Sequence, residues 1–242
     1  MKYSCVTLQE KSRLILKDFE FKRTLPDQAR RIAVQHLLSD PFEHVIQVGG
    51  HFKEIIFIHV PKTAGTSFFR SFDRKALHIP LSRYYAADKE RAKNTPKIAF
   101  VRDPKERLHS AYNYLYSQIG ANRSLDVRWA EEVLSPYPTF QDFLVGLQNR
   151  RFRRRILRWT HFRPQVSWIK ERPGGGAAID FLGRFEQLED DTKELENYLG
   201  ISVELPHARK PRRPRENLEI PETLEMAIRD IYWEDYNVLG YE

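Results

Sequence analysis

Apolar residues along this chain fall into short unbroken runs, and between the runs they recur every three or four positions. The clearest run is Ile55-Ile56-Phe57-Ile58-His59-Val60, β-branched or aromatic at every place but one. Such a run fits a strand buried on both faces of a parallel sheet, and it predicts the central first strand. Lys97-Ile98-Ala99-Phe100-Val101 repeats the signature, residues 179–185 give a third strand, and residues 45–48 predict a short one closed by Gly49-Gly50.

Helical spacing fills the intervals. Residues 26–40 place Ala29, Ile32, Ala33, His36 and Leu37 on one face. After the second strand, Asp103 is suited to cap a helix and Pro104 to its first turn. Leu108, Ala111, Tyr112, Leu115 and Ile119 then share a face, and Gly120 ends it. Residues 121–170 read as mostly helical and arginine-rich, broken at Pro136, Pro138 and Pro164, and residues 173–176 mark a turn. Leu188, Thr192, Leu195 and Leu199 predict a helix ending at Gly200. A Pro- and Arg-rich loop follows over 206–214, and a last helix carries Leu224, Ala227, Ile228 and Ile231. Strands alternating with helices predict an α/β fold, a parallel sheet with helices on both faces.

At 242 residues the chain fits a single domain, 1–242. Residues 1–50 form an N-terminal helical extension with a short strand, and residues 51–242 form the core. Apolar residues at 41% and charged ones at 30% suit a chain that folds, which excludes disordered and collagen-like classes. No apolar run approaches the ~20 residues of a transmembrane helix, and the N-terminus lacks a secretory pattern, so the expected location is cytoplasmic. Cys5 is the only cysteine, which removes internal disulfides and cysteine-built zinc sites from consideration.

Net charge is +7, from 40 Lys and Arg against 33 Asp and Glu. The excess gathers at Arg150, Arg151, Arg153, Arg154, Arg155, Arg158 and Arg163, and again at Arg209, Lys210, Arg212, Arg213 and Arg215. A basic patch attracts polyanions, but its sign alone does not separate nucleic acid, a phosphorylated cofactor, an acidic polysaccharide and a plain solvated face.

The segment Pro61-Lys62-Thr63-Ala64-Gly65-Thr66-Ser67 joins the first strand to a helix. Such loops offer free backbone N–H groups and the positive end of a helix dipole, so they suit an anion, phosphate above all. This one adds a lysine, a glycine and three hydroxyls. It is not a Walker A loop, because no glycine precedes Lys62 within it. An ATP- and magnesium-dependent P-loop phosphotransferase stays open as an alternative, and so does a nucleic-acid-binding protein using residues 150–158.

The run from Ile58 to Phe68 resembles the 5′-phosphosulfate loop of the sulfotransferases that use 3′-phosphoadenosine 5′-phosphosulfate (PAPS). The branch it resembles holds the Golgi carbohydrate sulfotransferases and their bacterial relatives. Phe100-Val101-Arg102-Asp103-Pro104-Lys105-Glu106-Arg107-Leu108-His109-Ser110-Ala111-Tyr112 is similar to that family's 3′-phosphate motif. Phe162-Arg163-Pro164-Gln165, residues 183–191, Leu205-Pro206-His207 and residues 231–236 follow as further landmarks in the same order. The resemblance covers roughly residues 52–242 and implies a P-loop-like three-layer α/β/α fold with a central parallel sheet.

The resemblance also implies roles. Lys62, Thr63, Ala64, Gly65, Thr66 and Ser67 would hold the 5′-phosphosulfate, with Lys62 stabilising the leaving group. Arg102 and Ser110 would hold the 3′-phosphate, with Arg209 and Arg213 closing over it. The product would be PAP, and no metal is expected. The acceptor would be a hydroxyl compound, expected to be a saccharide, and the arginine clusters allow an anionic one. No nucleic-acid partner and no transmembrane segment are expected.

Transfer to a hydroxyl calls for a general base, and histidine suits neutral pH with an ordinary pKa of ~6.5. His78 lies between the two cofactor motifs, where the resembling enzymes place a catalytic histidine. Glu186 and Asp88 are the rival bases. His59 is expected to pack within its strand, and His109 to be exposed. His161 and His207 are expected to touch the acceptor, with Tyr84, Tyr85 and Arg163 lining its cleft.

Overall fold

A computed structural model describes residues 39–74, 77–121, 124–203 and 219–242. The predicted helix over 26–40 falls almost wholly outside them, as do the loop over 206–214, His207, Arg209 and Arg213.

Among the described residues, four strands form one sheet in the order β1-β2-β3-β4: Ile46–Gln47, Glu54–Ile58, Lys97–Val101 and Phe181–Arg184. The β2–β3 and β3–β4 pairs are parallel, as the buried runs predict. The β1–β2 pair is antiparallel, so the parallel sheet carries one short antiparallel strand at its edge. The reason is local: a turn through Gly50 at φ 87°, closed by the bond from Val48 N–H to the Lys53 carbonyl (3.1 Å), is too short for a crossover.

Successive residues of β2 and β3 face opposite sides, so both strands are buried twice over. Ile56, Ile58, Ala99 and Val101 pack with Leu81 and Tyr84 of α2 (Leu81–Ala87), Ala92 of α3 (Lys89–Asn94) and Val166, Trp168 and Ile169 of α8 (Val166–Ile169). Ile55, Phe57, Ile98 and Phe100 pack with Phe68 and Phe69 of α1 (Gly65–Ser71) and Leu188, Leu195 and Leu199 of α9 (Leu188–Leu199). Helices therefore cover both faces of the sheet.

A second, helical core lies beside it. Here α4 (Pro104–Tyr116), α5 (Leu125–Val133), α6 (Phe140–Leu147), α7 (Arg150–Leu157) and α10 (Glu222–Ile231) bury a common aromatic cluster in which Trp129 stacks on Trp159 at 4.5 Å. The predicted helix through Leu224, Ala227, Ile228 and Ile231 is α10, and a further helix the pattern did not show, α11 (Trp233–Leu239), follows Tyr232, which leaves helical geometry.

Asp103 caps α4 as expected, accepting from the Glu106 N–H at 2.8 Å, with Pro104 in the first turn. The helix ends at Tyr116, short of the Ile119 that its pattern included.

Candidate active site

The loop after β2 is built on backbone that ordinary residues avoid. Lys62 and Ala64 both have left-handed φ, 72° and 68°, conformations that cost a non-glycine residue on the order of 1 kcal/mol each. The buried Thr63 hydroxyl braces the turn by donating to the Val60 carbonyl at 2.8 Å. Left-handed residues in such a loop allow neighbouring N–H groups to point to one side, as in anion-binding nests. Among the described residues, no backbone carbonyl accepts from the N–H groups of Thr63, Ala64, Gly65 or Thr66. Gly65 is needed where it stands because a Cβ there would lie 2.0 Å from Cδ2 of His59. The loop thus rests on a histidine ring, a reason for the glycine that differs from close approach to a phosphate.

The lysine of this loop reaches α4. Lys62 Nζ lies 3.9 Å from the centre of the Tyr114 ring. Residues four apart share a helix face, so Glu106, Ser110 and Tyr114 form one stripe along α4. Arg102 meets the stripe at its start, through Glu106 at 3.4 Å, with its guanidinium 4.4 Å over the Phe185 ring. Burial, and next the charge of Arg102, push the Lys62 pKa down to about 8, opposed by Asp126. The charge of Arg102 is thus felt at Lys62, and two half-buried cations in electrostatic reach of each other suit an anion.

Three histidines pack beside the loop and Tyr114. The ring of His78 stacks on that of His59 at 4.2 Å and meets the edge of His161 at 6.0 Å. Its Nδ1 lies 2.9 Å from the His59 carbonyl oxygen; a carbonyl only accepts, so Nδ1 carries the proton and Nε2 keeps its lone pair. Burial drives the His78 pKa down to about 4, against the bond to His59, which raises it. His59 lies just past the end of β2 and is also held well below its ordinary value by burial and by His78. His161 bonds Asp126 through Nε2 at 3.1 Å, and Tyr114 lies 5.1 Å from it, ring to ring.

A loop with N–H groups left unpaired among the described residues, a second cation at the head of α4 and a histidine held neutral by burial are the kinds of parts a group-transfer site needs. The model of the sulfotransferase family matches residues 48–242, from just after β1 to Glu242. The chain belongs to the sulfotransferase family. It is therefore an enzyme that transfers a sulfuryl group, and the phosphotransferase and nucleic-acid readings drop away. No curated protein and no solved structure matches it.

Of the residues expected at the site, the structure brings Lys62, His161 and His78 together around Tyr114 and His59, while Arg102 and the half-buried Ser110 lie on α4 or at its head. Thr66 is exposed and Ser67 half-buried in the first turn of α1. Several expected residues stand elsewhere. Tyr84 is a core residue, 2% exposed and packed edge-on against Phe42 at 5.4 Å, so it does not line an acceptor cleft. Tyr85 packs against the same core from a half-buried position. Glu186 is tied as an acceptor from the Asp103 N–H (2.9 Å) and the Tyr241 hydroxyl (3.1 Å), and Asp88 caps α3. Both rival bases thus have structural work. Arg163 lies over the Trp168 ring and bonds Ser167, near the histidines rather than free in solvent.

The pattern of residue types did not disclose the supports. Fully buried Arg107 donates to the carbonyls of His161 (3.1 Å) and Arg163 (2.8 Å). Fully buried Asp235 accepts from the N–H groups of Gln165 and Val166. Charged residues seldom lie so deep unless they are paired, but nothing local marks which ones will.

Proposed function

We propose that the enzyme takes its sulfuryl group from PAPS and passes it to a hydroxyl of a saccharide, with His78 as general base. What carries this reading is the convergence of Lys62, on its left-handed loop, with the α4 stripe headed by Arg102. Two phosphates and a sulfate need two separate cationic holds, and the chain has one on each side of Ser110. The residues fit that donor: the N–H groups of residues 63–66 for the 5′-phosphate, Arg102 and Ser110 for the 3′-phosphate.

PAPS supplies a sulfuryl group bonded to a phosphate that can leave. Lys62 places its ammonium to meet the charge developing on the oxygen released as the old S–O bond breaks. His78 takes the hydroxyl proton on Nε2 while the acceptor oxygen bonds to sulfur. Its bond to His59 keeps Nε2, and not Nδ1, available for that proton. The exposed arginines of α7, Arg150, Arg151, Arg154 and Arg155, with Arg158 at its C-terminal cap, favour an anionic saccharide among the possible acceptors.

Labelled sulfate transferred from PAPS to a panel of neutral and anionic oligosaccharides tests the reaction. Calorimetry with PAP and ADP in chelator tests the donor, and PAP should bind at least ~10-fold more tightly through one charge-assisted phosphate contact. Equal affinities would remove the 3′-phosphate assignment.

A further inference from the structure

Asp126 lies in the first turn of α5, where an acid would ordinarily be read as a partner for the helix dipole. The cap is already made: Ser124 accepts from the Val127 N–H at 3.3 Å. The carboxylate instead turns to His161, whose Nε2 donates to Oδ2 at 3.1 Å. His161 is thereby fixed from two sides, its ring by Asp126 and its carbonyl by the buried guanidinium of Arg107. Its side chain is 10% exposed and that of Asp126 31%, so the pair borders the site from within. The ring stands between Tyr114, which carries Lys62 on its face, and His78.

We propose that Asp126, through its bond to His161, is a positioning residue of the transfer reaction, holding the ring beside His78 and balancing the imidazolium formed there when the acceptor hydroxyl gives up its proton. This rests on the reading of PAPS as donor and His78 as base.

The charges around the reacting centre are otherwise one-sided. Lys62 and Arg102 are cationic, His59 is neutral and buried, and Glu106 is spent on Arg102. The field of Asp126 favours the protonated forms of both Lys62 and His78, against burial, His161 and the neighbouring cations. A base whose resting pKa is low benefits most from such a counter-charge, because the cost of its protonated form falls directly on the transition state.

The test separates this from mere support of the fold. Asp126→Asn keeps shape and removes charge, and should lower kcat at least ~10-fold, within the range of electrostatic contributions to catalysis. PAP affinity at pH 7 should stay the same or tighten, because a negative charge near the anion site is gone. The pH above which PAP affinity declines should move down, since Lys62 loses a partner that keeps it protonated. Asp126→Glu should restore part of kcat. His161→Gln, which leaves Asp126 in place, should show the same loss with PAP binding kept, and the double variant should lose no more than either alone. Unchanged turnover in Asp126→Asn or His161→Gln, an unmoved alkaline limb, or additive losses would overturn the proposal, as would a parallel loss of PAP binding. Transfer from PAPS and PAP binding by the unaltered protein test the donor reading by themselves, so failure confined to these variants falls on Asp126 alone.

Discussion

The side-chain amide of Gln165 holds both polar groups of the Arg102 backbone: Arg102 N–H donates to Oε1 at 3.0 Å, and Nε2 donates to the Arg102 carbonyl at 2.7 Å. Gln165 is fully buried, and its own N–H is bound by Asp235, so the arginine at the head of α4 is set in place from the C-terminal helix. The expected result of Gln165→Leu is a loss of about 1–3 kcal/mol in unfolding free energy, because two buried backbone groups lose their partner. PAP affinity should fall with it while kcat at saturating donor changes little. Denaturant melts and calorimetry check both halves, and unchanged PAP affinity would show that Arg102 does not depend on this clamp.

His78→Ala should cost ~100-fold in kcat, at the lower end of general-base contributions, with little change in PAP affinity. The pH profile sharpens this. With its pKa near 4, His78 is neutral throughout the neutral range, so kcat/KM should show no acid limb near pH 6.5 and should decline only as pH approaches 4. The same depression affects stability. The unfolded chain binds the His78 proton below about 6.5 and the folded one only below about 4, so stability is full above pH 6.5 and is lost as pH falls through that window. Acid titration of unfolding should be shallower in a His78→Phe variant that folds.

Lys62 titrates in a different window. Its pKa near 8 means that the protein without ligand carries a partly neutral lysine in mildly alkaline buffer, and PAP binding should draw a proton onto it. PAP affinity should decline as pH rises through 8, and binding near pH 8 should take up protons, visible as heats that depend on buffer ionisation. Lys62→Arg should move this limb out of range, since the guanidinium stays charged. An affinity that is flat from pH 7 to pH 10 would mean that Lys62 does not meet the anion.

On α7, Arg151, Arg154 and Arg155 are exposed, and Arg155 pairs with Glu132. Replacing the three by alanine should raise the KM for an anionic acceptor and flatten its dependence on salt, while PAP binding stays as it was. Equal kinetics on neutral and anionic acceptors in the altered and unaltered proteins would make the helix a solvated face.

Short-range information was legible in the sequence. Apolar runs fixed β2 and β3 because a strand buried on both faces leaves no polar alternation to confuse it. Asp103-Pro104 fixed the start of α4, and Gly200, at φ 69°, fixed the end of α9, because capping depends on residues within one turn. The 61–67 loop followed from the same proximity to a strand end, and Arg102 from the resemblance of its segment to the 3′-phosphate motif of the family. What the sequence could not show is what meets across the sheet. His59, His78 and His161 come from three segments, and their stacking and low proton affinity exist only where burial strips water from all of them together. Tyr84 and Glu186 read as site residues because an aromatic and an acid near a motif look available, and only packing shows one to be core and the other a tether. Asp126, Arg107, Gln165 and Asp235 carry no local mark, since each acts on a residue at least thirty-five positions away or more, and that pairing is decided by how helices and sheet close on one another.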